Sequence, residues 1–201
     1  MLELVNRISR KFHNWKNEVN ELPGSEPEFQ KWLFIHIAGV LFGGKAGELL
    51  TLSSVQCGLP FDRQLEVIDT LSGKWAYSYL LLYKNSDSAK VIFYKESGVR
   101  KALSEIPPCI LEGDLNYMAG IEPEEFLREI SLRWKTTGGI PHEIGVALGY
   151  PVKDVLGYMG LLPLECNGIC GWRIYGDPAS SLHKCRMYTR AKQGAMAFLA
   201  A

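Results

Sequence analysis

The chain has 201 residues, 47% hydrophobic and 22% charged, with 22 basic and 22 acidic side chains and a formal net charge of zero. That length suits one domain spanning 1–201 with a sizeable core, and the composition excludes disordered and coiled-coil classes. Zero net charge supplies no overall field toward nucleic acid or an anionic membrane, so only a local basic patch could serve such a partner.

Residues 1–7 lack an apolar core of signal-peptide length. The longest apolar run, 32–44, contains His36 and three glycines and is too short to span a bilayer. Five cysteines, an odd number spaced unlike a secreted disulfide framework, agree with a reducing compartment. These features predict a soluble cytoplasmic protein with no membrane partner.

Residues 2–20 carry apolar side chains at helical spacing (Leu4, Val5, Ile8, Phe12, Trp15, Val19) and predict an amphipathic helix. Ser25, with Pro27 in the first turn and Glu28 three residues on, has the form of a capping box opening a helix that runs to Gly43-Gly44. Residues 45–52 predict another helical turn or two, and 60–71 a further amphipathic helix. The aromatic and β-branched runs 77–83 and 90–94, separated by a polar linker, predict a β-hairpin with a longer loop. A short helix over 97–106 stops at Pro107-Pro108, and 109–120 fits neither periodicity. Pro123 opens a helix to Thr136, with acids in its first turn and Arg133 and Lys135 in its last. Residues 171–175 predict a third short strand, and 179–198 a last helix rich in Arg and Lys. Together these make a mostly helical α+β domain around a small antiparallel sheet of about three strands.

The most constrained stretch is 139–155. Its apolar spacing and the turn at Gly149 predict a helix-turn-helix-like unit near 140–160, for which 172–175 would form a wing. As a DNA reader the unit is poorly equipped. Its second helix would expose Lys153, Asp154, Gly157 and Tyr158, where base readout uses Arg, Lys, Asn or Gln, which argues against nucleic acid as the partner. A chemical reading places Pro141 at the first helical position and His142 and Glu143 in the first turn. Free amides there would bind an anion and favour a neutral imidazole, a general base or metal ligand. No histidine lies four residues after His142, so the two-histidine zinc-peptidase pattern is absent. The plainer alternative has Glu143 complementing the helix dipole while His142 packs structurally.

The run Ile140-Pro141-His142-Glu143-Ile144-Gly145, followed by Leu148-Gly149-Tyr150-Pro151, Asp154-Val155 and Gly157, resembles the Phe-Pro-His-Glu-Ile-Gly-x-x-Leu-Gly-Tyr-Pro segment of an uncharacterised bacterial family. That family is the domain-of-unknown-function family numbered 3793. The stretch from Ile37 through Lys45 to Leu49 resembles its early apolar, glycine and lysine segment. Gly171-Trp172-Arg173-Ile174-Tyr175 resembles its late Gly-Tyr-Trp-Lys-Val-Tyr strand. The early segment in the family often carries a cysteine after a histidine; here the pair reads His36-Ile37, which puts thiol chemistry there in doubt. The family brings no established activity, but the resemblance implies that Lys45, His142, Glu143 and Tyr150 share one site.

Cys166, Cys170, His183 and Cys185 form a C-x3-C-x12-H-x-C set that zinc would accept. Against it, His183 and Cys185 lie two apart on an expected helix and so point to different sides; ordinary thiols are the alternative. Zinc or haem are the cofactors left open. Cys57 and Cys109 are isolated, and no Cys-His-Asn constellation is readable. His36, on an apolar helix, is either a satisfied core histidine or a ligand-binding residue. Lys45 after Gly43-Gly44 suits a phosphate or carboxylate, without the spacing of a P-loop. The leading expectation is a protein binding a small anionic metabolite or cofactor, with His142 and Glu143 as the catalytic pair if it is an enzyme. The alternative is a regulatory or interaction module using the 140–160 unit and the basic face Lys184, Arg186, Arg190 and Lys192 of the last helix.

Overall fold

The computed structural model describes residues 10–201, so the helical positions Leu4, Val5 and Ile8 and the N-terminal segment discussed above lie outside the described residues. In chain order the elements are α1 (Arg10–Val19), α2 (Glu26–His36), α3 (Ala38–Phe42), β1 (Gly47–Ser53), β2 (Val55–Gln56), β3 (Leu59–Pro60), α4 (Phe61–Trp75), β4 (Ser78–Lys84) and β5 (Ser88–Tyr94). There follow α5 (Glu96–Ser104), a π-helical turn (Cys109–Asp114), α6 (Pro123–Thr137), α7 (Ile144–Ala147), α8 (Val152–Tyr158), β6 (Cys166–Ile169), β7 (Arg173–Tyr175) and α9 (Ala179–Ala200). The α+β class holds: a three-stranded antiparallel sheet in the order β1-β5-β4 lies among helices.

Both faces of this sheet are covered, and the period-two alternation of its strands divides the core. On central strand β5, Ala89, Val91 and Phe93 join one cluster while Ile92 and Tyr94 join the other. The first cluster is aromatic. Phe12, Trp15, Phe34 and Trp75, from α1, α2 and α4, meet with ring centroids 4.8 to 5.9 Å apart, mostly tilted or edge-on, the geometry favoured by ring quadrupoles. The second cluster gathers α5, α6, α7 and α8 through Val99, Phe126, Ile130, Val146 and Val155. Helix α9 joins both sides: Phe198 packs in the aromatic cluster, while Ser181 sits buried near its start.

Three expectations are corrected. Residues 45–52 do not continue as helix; Gly47–Ser53 is edge strand β1, paired along its length with β5 from Gly47↔Tyr94 to Ser53↔Ser88. Leu50 and Leu52 alternate with exposed Thr51, and only glycine fits position 47, where a Cβ would stand 2.6 Å from the Ala147 carbonyl oxygen. Residues 173–175 are not the third strand of that sheet but pair with β6 as a separate hairpin. Ser25 makes no side-chain capping bond to α2, which ends at His36 before a break at Ile37. The reciprocal capping box is at α6 instead, between Glu122 and Glu125. Among the described residues no helix is long and apolar enough to cross a membrane.

Helix α8 lies against β7 at closest approach through Gly157, where an added Cβ would stand 2.7 Å from Tyr175 Cβ and Cγ. Gly157→Ala is therefore expected to cost about 1–3 kcal/mol. Gly73→Ala, in open space within α4, is expected to add about 0.5–1 kcal/mol through helix propensity. Urea unfolding of both variants checks this; a shift in the same direction for the two would contradict the close α8–β7 packing.

Candidate functional site

The turn into α7 is tighter than a helix start. Ile144, Gly145 and Val146 donate backbone hydrogen bonds to Pro141, His142 and Glu143, each three residues back, at 3.0 to 3.2 Å, and α7 itself is four residues long. The expected placement of His142 and Glu143 in the first turn of the helix is thus corrected: both precede α7, and so short a helix builds neither the dipole nor the row of free amides on which an anion site depends. The exit from α7 is a Schellman motif, with Tyr150 N–H donating to Gly145 O (3.0 Å) and Gly149 N–H to Val146 O (2.9 Å). Gly149 has φ +77°, and a Cβ there would come within 2.8 Å of Ala46 N. Its carbonyl oxygen accepts from Tyr188 Oη (2.8 Å) and Lys184 Nζ (3.1 Å) of α9.

His142 and Glu143 part company. Glu143 is buried, its Oε1 accepting from Arg133 Nη1 (3.0 Å) and Tyr117 Oη (3.1 Å). The Arg133 guanidinium stacks 4.1 Å from the centroid of Tyr117. Burial, then the neighbouring carboxylate, pushes the Tyr117 phenol far above its ordinary range. Glu143 therefore fastens the turn to α6 and does not orient His142. His142 is exposed, its ring edge-on to Tyr158 at 4.9 Å.

Asp154 stands at the other wall, 2% exposed. Its Oδ1 accepts from Lys153 Nζ (2.6 Å) and Tyr175 N–H (2.9 Å), and its Oδ2 from Ser181 Oγ (2.6 Å) and Trp172 Nε1 (2.8 Å). Burial alone would raise this carboxyl, but the four donors outweigh it and hold it below the usual carboxylate range. One side chain thereby joins α8, the β6–β7 hairpin and α9. Residues 140–160 do resemble two short helices about a glycine turn. Yet Val152, Asp154, Val155, Leu156 and Gly157 are buried and Lys153 is engaged with Asp154, Tyr175 O and Ser181, so α8 presents no basic face to a groove.

Between these walls lies a cleft of about 220 Å³, lined by Ile140, Pro141, His142, Tyr150, Val155, Tyr158, Trp172 and Arg173, with Asp154 at its side. Tyr150 and Trp172 stack at 4.5 Å and 18°. The Arg173 guanidinium lies 5.7 Å from the centroid of Tyr158 and has no carboxylate partner among the described residues. Of the four residues expected to share a site, His142 and Tyr150 meet in this cleft. Lys45 is packed behind it, 5.9 and 5.5 Å from the rings of Tyr150 and Tyr188, and already paired with Glu48 at 2.8 Å. It is not a free counter-charge. His36 holds Trp32 O through Nδ1 (2.8 Å) and lines a different cleft with Glu48, Tyr188 and Lys192.

Cys166, Cys170, His183 and Cys185 do not converge. Among the described residues no three His, Cys, Asp or Glu side chains gather in metal-binding geometry, because Cys166 turns to Gly168 O and His183 is exposed. Asp154, Tyr158, Trp172 and Arg173 are the cleft residues that motif reasoning passed over. The available signal was a Trp-Arg pair on a short strand beside a conspicuous Tyr-Pro turn.

Replacing Asp154 by Ala leaves Lys153 and three further donors unanswered and is expected to cost about 3 kcal/mol at neutral pH. Because the folded carboxyl titrates below its unfolded value, its contribution is complete above about pH 4 and fades as pH falls through the folded value. Urea midpoints across pH should show the wild-type advantage shrinking in acid; a pH-independent gap would contradict this role.

Neither the curated proteins nor the solved structures hold a match to the chain. The model of the family described as "Protein of unknown function (DUF3793)" matches residues 33–201, which takes in the sheet, the cleft and α9. The chain belongs to this domain-of-unknown-function family, numbered 3793.

Proposed function

We propose that this protein binds a small anionic metabolite with a flat apolar body, in the cleft between the Pro141 turn and Trp172. The observation that carries this reading is the pairing of a stacked Tyr150–Trp172 wall with Arg173, a cation lacking a carboxylate partner among the described residues, at the same cleft. An apolar body gains by burial against Tyr150, Trp172 and Val155. Its anionic group stays where Arg173 can meet it with charge-assisted hydrogen bonds. His142, exposed among the lining residues, presents ring nitrogens that can donate or accept a hydrogen bond, and any proton transfer on the bound molecule is assigned to it. Glu143 has no part in that step.

This reading is favoured over the nucleic-acid or protein-interaction module because the second helix of the 140–160 unit is consumed by internal packing. Titration with benzoate and phenyl phosphate, followed by tryptophan fluorescence, tests it. Both anions are expected to bind more tightly than their neutral counterparts, benzamide and phenol, and Arg173→Glu to weaken them at least tenfold, about 1.4 kcal/mol or more. Equal affinity for neutral and anionic probes, or an unchanged affinity in Arg173→Glu, would contradict the proposal. A salt-sensitive shift of duplex DNA lost on Arg186→Glu/Arg190→Glu would support the module instead.

A further inference from the structure

The β6–β7 hairpin reverses through Cys170-Gly171-Trp172, where Cys170 N–H donates to Trp172 O at 2.9 Å. Helix α9 passes beneath this reversal and brings Cys185 to it. The Cys185 thiol donates to the Cys170 carbonyl oxygen at 3.1 Å, which seats it on the backbone of the other cysteine, and the Cys170 thiol turns toward the same helix, within 3.9 Å of Ser181 O. Both are half-buried, whereas Cys166 and Cys109 are exposed. Two thiols held together between separate elements are placed for oxidation to one another, a different outcome from the metal set suggested by their spacing.

We propose that Cys170 and Cys185 form a thiol–disulfide site, oxidised by a low-molecular-weight disulfide of the glutathione class to a bond that ties the Trp172 reversal to α9. The thiolate of Cys185 attacks one sulfur of glutathione disulfide, forming a mixed disulfide and releasing one glutathione thiolate. The Cys170 thiol then loses its proton to solvent and attacks the Cys185 sulfur, forming the intramolecular bond and releasing the second glutathione. Two protein thiols are oxidised and one glutathione disulfide is reduced to two thiols.

The order follows from the surroundings. Burial, and then the Cys185 thiol, push Cys170 up to about 11, leaving it a poor first nucleophile near neutral pH. Capping Cys185 removes its thiol from Cys170, so the second step meets less resistance than the first would at the same atom. The bond reaches the cleft through two residues of chain. Trp172 carries the Tyr150 stack and the hydrogen bond to Asp154, so fixing the reversal fixes that wall. This last link rests on the proposed ligand cleft; the cysteine chemistry does not.

The test equilibrates the full chain with glutathione disulfide and glutathione at several ratios, alkylates free thiols and maps disulfides by peptide mass spectrometry. A Cys170–Cys185 linkage is expected to dominate, reversed by dithiothreitol, with Cys57, Cys109 and Cys166 still alkylated. Closing a loop of about fifteen residues is expected to raise Tm by roughly 5–10 °C. Cys170→Ser is expected to accumulate glutathione on Cys185. Glutathione found on Cys109 or Cys166 while Cys170 and Cys185 stay free, or a linkage made through Cys166, would overturn the site. Absence of the Cys185 adduct in Cys170→Ser would overturn the order. Anion binding is measured separately on the reduced protein, so its failure leaves the disulfide result intact.

Discussion

The Asp154 carboxylate is the constraint on which the C-terminal half depends. A buried carboxylate is costly unless its lone pairs are filled, and here four donors from three elements fill them. Without it, Trp172 Nε1, the Tyr175 amide and the Ser181 hydroxyl would face each other around an uncompensated Lys153. The short hairpin β6–β7 has too few strand bonds to hold itself. Its position, and with it the orientation of the Trp172 ring, comes from this carboxylate and from the contact of Gly157 with Tyr175.

A second polar fastening, Glu143 with Arg133 and Tyr117, holds the opposite wall. The two work alike: each anchors a loop-like segment to an element that the sheet already positions. Between them the cleft is largely apolar, with the Asp154 carboxylate occupied at its side, the His142 ring at its rim and Arg173 as a cation without a carboxylate partner among the described residues. Behind it, Lys45 sits between Tyr150 and Tyr188 with Glu48 as its partner. That half-buried pair separates the cleft at Trp172 from the one lined by His36, because Tyr150 faces the first and Tyr188 and Glu48 the second.

Much of the helical frame was legible because it is written in local chemistry. Pro123 with its first-turn acids, the glycine at 138 and the spacing of Phe126, Ile130 and Trp134 specify α6 without reference to anything distant. The strands β4 and β5 were legible for the same reason. Strand β1 was not, because Lys45 to Leu52 has helix-compatible residues and becomes a strand only by pairing with β5. The turn at Pro141 through Pro151 was legible as constrained, and Gly149 as its pivot. Which way each side chain faces was hidden: adjacent residues His142 and Glu143 look alike in sequence as an acid–base pair, and only the distant Arg133 and Tyr117 draw Glu143 inward. Lys45 was hidden likewise, since its counter-charge Glu48 lies on the strand that local pattern missed.

In the proposed function Trp172 forms a wall of the ligand cleft, whereas Trp15, Trp75 and Trp134 are buried in the two core clusters. The indole N–H resonances of Trp15, Trp32, Trp75, Trp134 and Trp172 in a two-dimensional nitrogen-15 NMR spectrum, followed during titration with benzoate, test this directly. Binding in this cleft is expected to give a saturable shift of the Trp172 indole, whose N–H is bonded to Asp154, with Trp15 and Trp75 unmoved in the aromatic core. A shift confined to Trp32, beside His36, would place binding in the other cleft, and no shift at Trp172 at saturating benzoate would contradict the claim.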